Sequence, residues 1–165
     1  MRSYVTVLAG IAVLTAAGCG SEGAPDAGDT AGGSGGQAAG SSTSVSESTA
    51  EQEKAAIAAA QAWLELIDNE EYAKSWEEAA DLLKAAITKQ QWEQTGQAVR
   101  EQLGKVVSRE LKSQRYATSL PGAPDGEYVV IQYNTSFEKQ ETIVETITPM
   151  LAEDGVWRVS GYYVK

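Results

Sequence analysis

Two periodicities divide the chain: between residues 57 and 103 apolar side chains return every three or four positions, and between 106 and 164 they largely alternate. The first spacing gathers apolar groups on one face of a helix, the second on one face of a strand. Ile57, Ala60, Leu64 and Ile67 mark a first helix, with Trp63 on its flank. Ser48 and Glu51 stand ahead of it at capping-box spacing, and Asp68 and Asn69 end it. In a second helix Tyr72, Trp76, Ala79, Ala80, Leu83 and Ile87 form one stripe, opposite Lys74, Glu77, Glu78, Asp81 and Lys84. Thr88 and Gln91 repeat the capping spacing before a third helix, where Trp92, Val99 and Leu103 face inward until Gly104 stops it. The aromatic members of these stripes read as core rather than as a ligand wall.

Residues 106–118 form a weakly patterned strand that ends in "LPGAPDGEY", a dense run of turn residues. Firmer strands follow over 128–137, 142–151 and 156–164, joined by a short turn near Lys139 and by the Asp154-Gly155 hairpin signal. A meander with Phe137 opposite Thr142 and Glu153 opposite Val156 predicts a charge-free core face. That face holds Val129, Ile131, Tyr133, Phe137, Val144, Met150, Trp157, Val159 and Tyr163. The other face collects Tyr128, Val130, Gln132, Asn134, Ile143, Glu145, Ile147, Leu151, Arg158, Tyr162 and Val164, with Glu145 flanked by Asn134 and Val164. Being half apolar, it offers a self-complementary dimer contact with Glu145, Asn134 and Tyr162 as candidate interface residues; a solvated mixed face is the alternative. Pro149 is the weak point of this register: it cannot donate to a central ladder, and a bulge there would exchange the two faces beyond it. Helices followed by a meander give the α+β class, with three N-terminal helices on a curved antiparallel sheet of about four strands. This order resembles the cone-shaped folds of the nuclear transport factor two, ketosteroid isomerase and cystatin groups.

The N-terminus follows neither pattern. Met1 and Arg2 precede a mostly apolar stretch from Tyr4 to Ala17, too short and too rich in Ala and Gly to span a bilayer permanently. It reads as a signal peptide cut between Gly18 and Cys19. Ala16-Ala17-Gly18-Cys19 resembles the bacterial lipoprotein lipobox, with Ala16 where Leu is usual. An odd cysteine in an exported protein needs a reason, and lipidation of Cys19 supplies one. Several acyl chains give stable anchoring where one is marginal. Gly20 to Ser48 has Val45 as its one large apolar residue and reads as a flexible tether of about 30 Å root-mean-square span. The expected organisation is therefore 1–18 signal peptide, 19–48 lipidated cysteine and tether, and 49–165 a single domain. By resemblance to lipoprotein sorting, Gly20 after the cysteine points to the outer membrane, facing the periplasm, in a Gram-negative cell.

Charge and composition narrow the chemistry. Residues 51–165 carry 12 Lys and Arg against 19 Asp and Glu, a net −7 that opposes nucleic acid. The chain has no histidine, and its one cysteine is the lipidation candidate, so Ser/His and Cys/His catalysis and His/Cys zinc sites are excluded. Carboxylate chemistry remains, but the predicted core face has no acid, and Glu145 enters it only if the Pro149 region shifts the register. Asp125, Glu127, Glu138, Glu141 and the cluster Asp68 to Glu71 lack the alternating spacing of a calcium loop and read as solvated turn charges. Pro121 and Pro124 stiffen an exposed loop, a candidate binding element whose plainer reading is a turn that positions two strands. Arg100, Arg109, Lys112 and Arg115 form the one cationic stretch, suited to neighbouring acids or an anionic partner.

The blocks "AWLELIDNEEYAKSW", "SRELKS", "TSLPGAPDGEYVVIQYNTSF" and "VETITPML", followed by "DGVWRVSGYYVK", resemble in order the bacterial domain of unknown function 4019 family. The resemblance implies exported proteins, often lipoproteins, without an assigned activity. The expected function is a non-catalytic binding or accessory module, tethered in the cell envelope and acting on an unidentified protein partner or a second copy of itself, with no cofactor. The alternative is a small-molecule binder or carboxylate acid–base enzyme using a cone pocket.

Overall fold

The computed structural model describes residues 41–165. The expected signal peptide, Gly18, Cys19 and most of the expected tether lie outside the described residues. Four helices precede four strands: α1 Ser41–Asp68, α2 Tyr72–Glu78, α3 Asp81–Ala86, α4 Lys89–Leu103, β1 Val106–Ala117, β2 Tyr128–Phe137, β3 Gln140–Leu151 and β4 Trp157–Val164. The strands form an antiparallel sheet in the order β1-β2-β3-β4, and the helices cover one face of it. The class is α+β. Among the described residues no helix is long and apolar enough to cross a membrane.

α1 begins at Ser41, inside the stretch expected to be tether, so Ser48 and Glu51 lie within the helix rather than at its cap. Extending a helix costs far less than nucleating one, and the alanine-rich turns from Ala55 onward supply the nucleus. Its C-terminus is a Schellman cap: the Glu71 N–H bonds the Leu66 carbonyl (2.8 Å) and the Glu70 N–H bonds that of Ile67 (3.1 Å). The residue that turns the chain there is Glu70, at φ 63°, where glycine is usual. A side chain in this left-handed region costs about 1 kcal/mol.

The expected second helix is two. Ala79 and Ala80 are extended, and the Ala80 N–H leaves the helix to bond the Val159 carbonyl on β4 (2.9 Å). Both alanines are buried, small enough for the backbone to lie against the sheet edge. The stripe survives the break: Tyr72 and Leu83 are buried, and the Trp76 indole N–H reaches the Ile87 carbonyl (2.9 Å). α4 is as expected, with a complete Thr88–Gln91 capping box and Gly104 at φ 79° after its last residue.

The strands match the expected spans to within two residues, β3 starting at Gln140 rather than 142, but the register between β2 and β3 differs by one residue. Tyr133 stands beside Glu145 rather than Thr146, and Ile131 beside Ile147. An irregularity between Thr135 and Phe137, with Thr142 at φ 59°, supplies the slip. Since side chains alternate, a one-residue slip turns the whole of β3 over. Glu145, Ile147, Tyr162 and Val164, expected on the open face, are therefore buried, while Val144, Met150 and Tyr163 leave the core for the half-buried class. A second slip lies between Thr148 and Pro149, where Ser160 bulges out of β4 and its hydroxyl bonds the Thr148 carbonyl (2.8 Å). The two slips cancel for Trp157 and Val159, which stay on the core side as expected.

Both sheet edges are managed. At β1 the Glu53 carboxylate accepts the Tyr116 N–H and the Gln114 amide (both 3.0 Å), and at β4 the Ala80 N–H takes an outward carbonyl. Such contacts, with the irregularities in β1 near Val107 and Lys112, discourage pairing with another chain.

Candidate functional site

The slip that turns β3 over carries an acid into the core. Glu145 is fully buried, the one charged residue in the buried class among those described. A lone buried carboxylate is costly unless paired and hydrogen-bonded. Here four donors from three strands meet it. The Arg109 Nε donates to Oε2 (2.7 Å) and Nη2 to Oε1 (3.3 Å), while the Thr135 hydroxyl completes Oε2 and the Tyr162 hydroxyl completes Oε1 (both 2.5 Å). The other edge of Arg109 grips Asp68 at the end of α1, Nη1 to Oδ2 (2.7 Å) and Nη2 to Oδ1 (3.0 Å). Arg100 on α4 reaches the same Oδ1 through Nη2 (2.5 Å) and lays its guanidinium 5.1 Å from the Phe137 ring centre. Two carboxylates and two guanidiniums thus alternate from the core toward the surface, with no net charge.

The electrostatics keep this chain of charges as drawn. Burial works against the Arg109 cation, but its hydrogen bonds to Asp68 and Glu145 outweigh it and push its pKa above the usual arginine value. Burial, reinforced by the Glu145 charge, lifts Tyr162 well above the ordinary tyrosine range. Tyr162 is accordingly a neutral donor to a carboxylate whose other oxygen faces a permanent cation. The Tyr133 hydroxyl, on the same side of the sheet, is buried without a hydrogen-bond partner, and burial raises its pKa too.

Next to this network lies a neutral one. The Trp63 indole N–H donates to the Ser75 carbonyl (2.7 Å), the Trp92 indole to the Ser75 hydroxyl (2.9 Å), and that hydroxyl to the Tyr72 carbonyl (2.8 Å). Trp63 contacts Trp92 at 5.7 Å and meets Tyr162 edge-on at 5.5 Å between ring centres. These rings fill the interior that a cone pocket would occupy.

An accessible cleft of about 190 Å³ lies at the outer end of the ionic chain. Asp68, Tyr72 and Arg100 form its least exposed wall, and residues of the α1–α2 turn, α4, the α4–β1 turn and the β2–β3 turn complete it.

Of the residues singled out by sequence, Glu145 and Tyr162 do meet, but inside the core rather than on an open interface. Asn134 is exposed on the opposite face. Pro121 and Pro124 sit in the β1–β2 loop, which is held by the Tyr128 hydroxyl on the Pro124 carbonyl (2.8 Å) and the Gly126 N–H on that of Thr118 (3.1 Å). Of the cationic stretch, Arg100 and Arg109 turn inward to acids while Lys112 and Arg115 are exposed. Asp68, read as a helix stop and a solvated turn charge, is the unforeseen member, since it pairs with both Arg100 and Arg109. No group of three or more His, Cys, Asp or Glu placed to hold a metal occurs among the described residues.

A sequence model described as "Protein of unknown function (DUF4019)" matches residues 59–162, well over half of the chain. The chain belongs to the DUF4019 family. The matched span runs from the middle of α1 into β4, so Asp68, Arg100, Arg109, Glu145 and Tyr162 all fall inside the DUF4019 region. No curated protein and no solved structure matches the chain significantly.

Proposed function

We propose that this DUF4019 domain is a non-catalytic binding or accessory module, held in the bacterial cell envelope by lipid on Cys19. The observation that carries the non-catalytic half is the state of Glu145: an acid–base catalyst needs a carboxylate free to meet a substrate proton, and both oxygens of Glu145 are occupied by Arg109, Thr135 and Tyr162 beneath a filled interior. A closed, charge-neutral network of this kind holds a scaffold in one arrangement. The anchoring half rests on the lipobox-like Ala16-Ala17-Gly18-Cys19. α1 supports it as a spacer: from Ser41 to Glu53, whose carboxylate bonds β1, the helix rises about 18 Å at 1.5 Å per residue.

The test is fractionation and cross-linking in the native host. Wild-type chain is expected in the membrane fraction and Cys19→Ser in the soluble fraction; unchanged partitioning of the variant overturns the anchor. In-cell cross-linking is expected to give a discrete adduct, with a partner or with a second copy. A chain that stays uncross-linked and monomeric at high concentration, and binds no small ligand, overturns the module.

A further inference from the structure

The cleft beside α4 contains charges of both signs, and its neighbours use only some of them. Asp68 and Arg100 neutralise one another, the Lys139 ammonium is tied to the Glu101 carbonyl (2.7 Å), and the Glu138 carboxylate accepts the Lys105 N–H (3.0 Å). The Glu101 carboxylate takes one long bond from the Gln97 amide (3.4 Å), and the Arg100 side chain, stacked on Phe137, is 9% exposed. The Glu70 carboxylate, the other acceptor positions of Glu101, the Lys105 ammonium and the part of the Arg100 guanidinium that lines the cleft are left to serve a ligand, since a guanidinium has five N–H groups and a carboxylate about four acceptor positions. An anion alone would meet Glu70 and Glu101, and an amine alone would meet Arg100 and Lys105. A molecule with both charges satisfies both sets. The volume, about 190 Å³, lies below the roughly 300–1,000 Å³ of pockets for drug-sized ligands and suits something smaller.

We propose that this cleft binds a small zwitterion, a free amino acid or short peptide, with its ammonium held by Glu70 and Glu101 and its carboxylate by Lys105 and Arg100. The assignment rests on the binding-module reading and gives that module a ligand class. Glu70 occupies the left-handed position of the α1 cap, which glycine would fill without strain. Strain of this sort persists at ligand clamps, where the side chain is needed for something other than stability. Gly96 lets the Tyr72 ring, part of the cleft wall, lie against α4: a Cβ there would stand 2.7 Å from that ring.

The experiment is calorimetric titration of the full-length chain in detergent with three probes: alanylalanine, N-acetylalanylalanine, which lacks the ammonium, and alanylalaninamide, which lacks the carboxylate. Alanylalanine is expected to bind saturably, and each blocked analogue about ten-fold more weakly or worse, as loss of one charge-assisted hydrogen bond dictates. Glu70→Gly is expected to raise the melting temperature while weakening alanylalanine by about ten-fold. Glu70→Gln, which keeps the backbone and the shape, is expected to weaken it similarly without the thermal gain. Lys105→Ala is expected to weaken alanylalanine and leave alanylalaninamide unchanged. No saturable heat with alanylalanine, equal binding of all three probes, or full affinity in both Glu70 variants overturns the site. Any of these results leaves the cross-linking and fractionation outcomes to decide the broader reading separately.

Discussion

On one side of Tyr162 the interior is charged, and on the other it is aromatic and neutral. The Tyr162 hydroxyl closes the shell around Glu145 while its ring packs edge-on against Trp63. Both regions satisfy buried polar groups, but by different means. The ionic chain recruits Asp68, Arg100, Arg109 and Glu145 from two helices and two strands, and its stability depends on every partner being present. The aromatic region routes two indole N–H groups onto one residue, Ser75, and gains most from the area its rings bury. A charge left unpaired in a core costs more than an orphaned neutral donor, so the two regions should fail with different severity.

The largest effect is expected at Arg109. Arg109→Met leaves Glu145 buried without its cation and should lower the unfolding free energy by about 3–5 kcal/mol in a denaturant titration; a loss no greater than that of an exposed ion pair would contradict the account of the network. Tyr162→Phe separates the two roles of the shared residue. The ring stays against Trp63 and Glu145 loses one donor, so about 1.5–3 kcal/mol should be lost, as for hydrogen bonds to charged groups. Ser75→Ala tests the neutral side, where the Trp92 indole N–H loses its acceptor; the expected loss is about 1–3 kcal/mol, accompanied by a change in tryptophan fluorescence.

The smallest effect is at the surface. Arg158 grips Asp154 through two hydrogen bonds (both 2.7 Å) and holds its pKa down to about 2. A carboxylate whose folded pKa is depressed adds stability above its unfolded pKa and loses it as pH falls toward the folded value. Wild type and Asp154→Asn should therefore differ by a small, constant margin above about pH 4, and the difference should vanish as pH approaches 2. A difference that grows on acidification would reverse the assigned sign.

Local features were legible because their causes are local. The α4 cap needs only Thr88 and Gln91, three residues apart, and the strand spans need only alternation and turn residues. Features that depend on a contact elsewhere were not. The helix break at Ala79 and Ala80 follows from one carbonyl of β4, and nothing between Tyr72 and Ile87 signals it. The β2–β3 register turned on one extra residue near Phe137, and with it the side of the sheet on which Glu145, Ile147 and Tyr162 fall. An acid inside the apolar run "TIVETITPML" was the available clue, since such a residue is either exposed or elaborately paired, and the choice requires knowing where Arg109 lies.

Taken alone, the amino-acid sequence determined the α+β class, the placing of helices before strands, the family and the absence of histidine, because composition and short-range spacing suffice for each. The tertiary structure alone decided which face of β3 is the core, that Asp68, Arg100, Arg109 and Glu145 form one chain of charges, and where a cleft opens beside it. Those residues are 32 to 41 positions apart along the bonds that join them. Whether their charges meet is settled by strand register and helix docking, which arise from packing the whole domain at once.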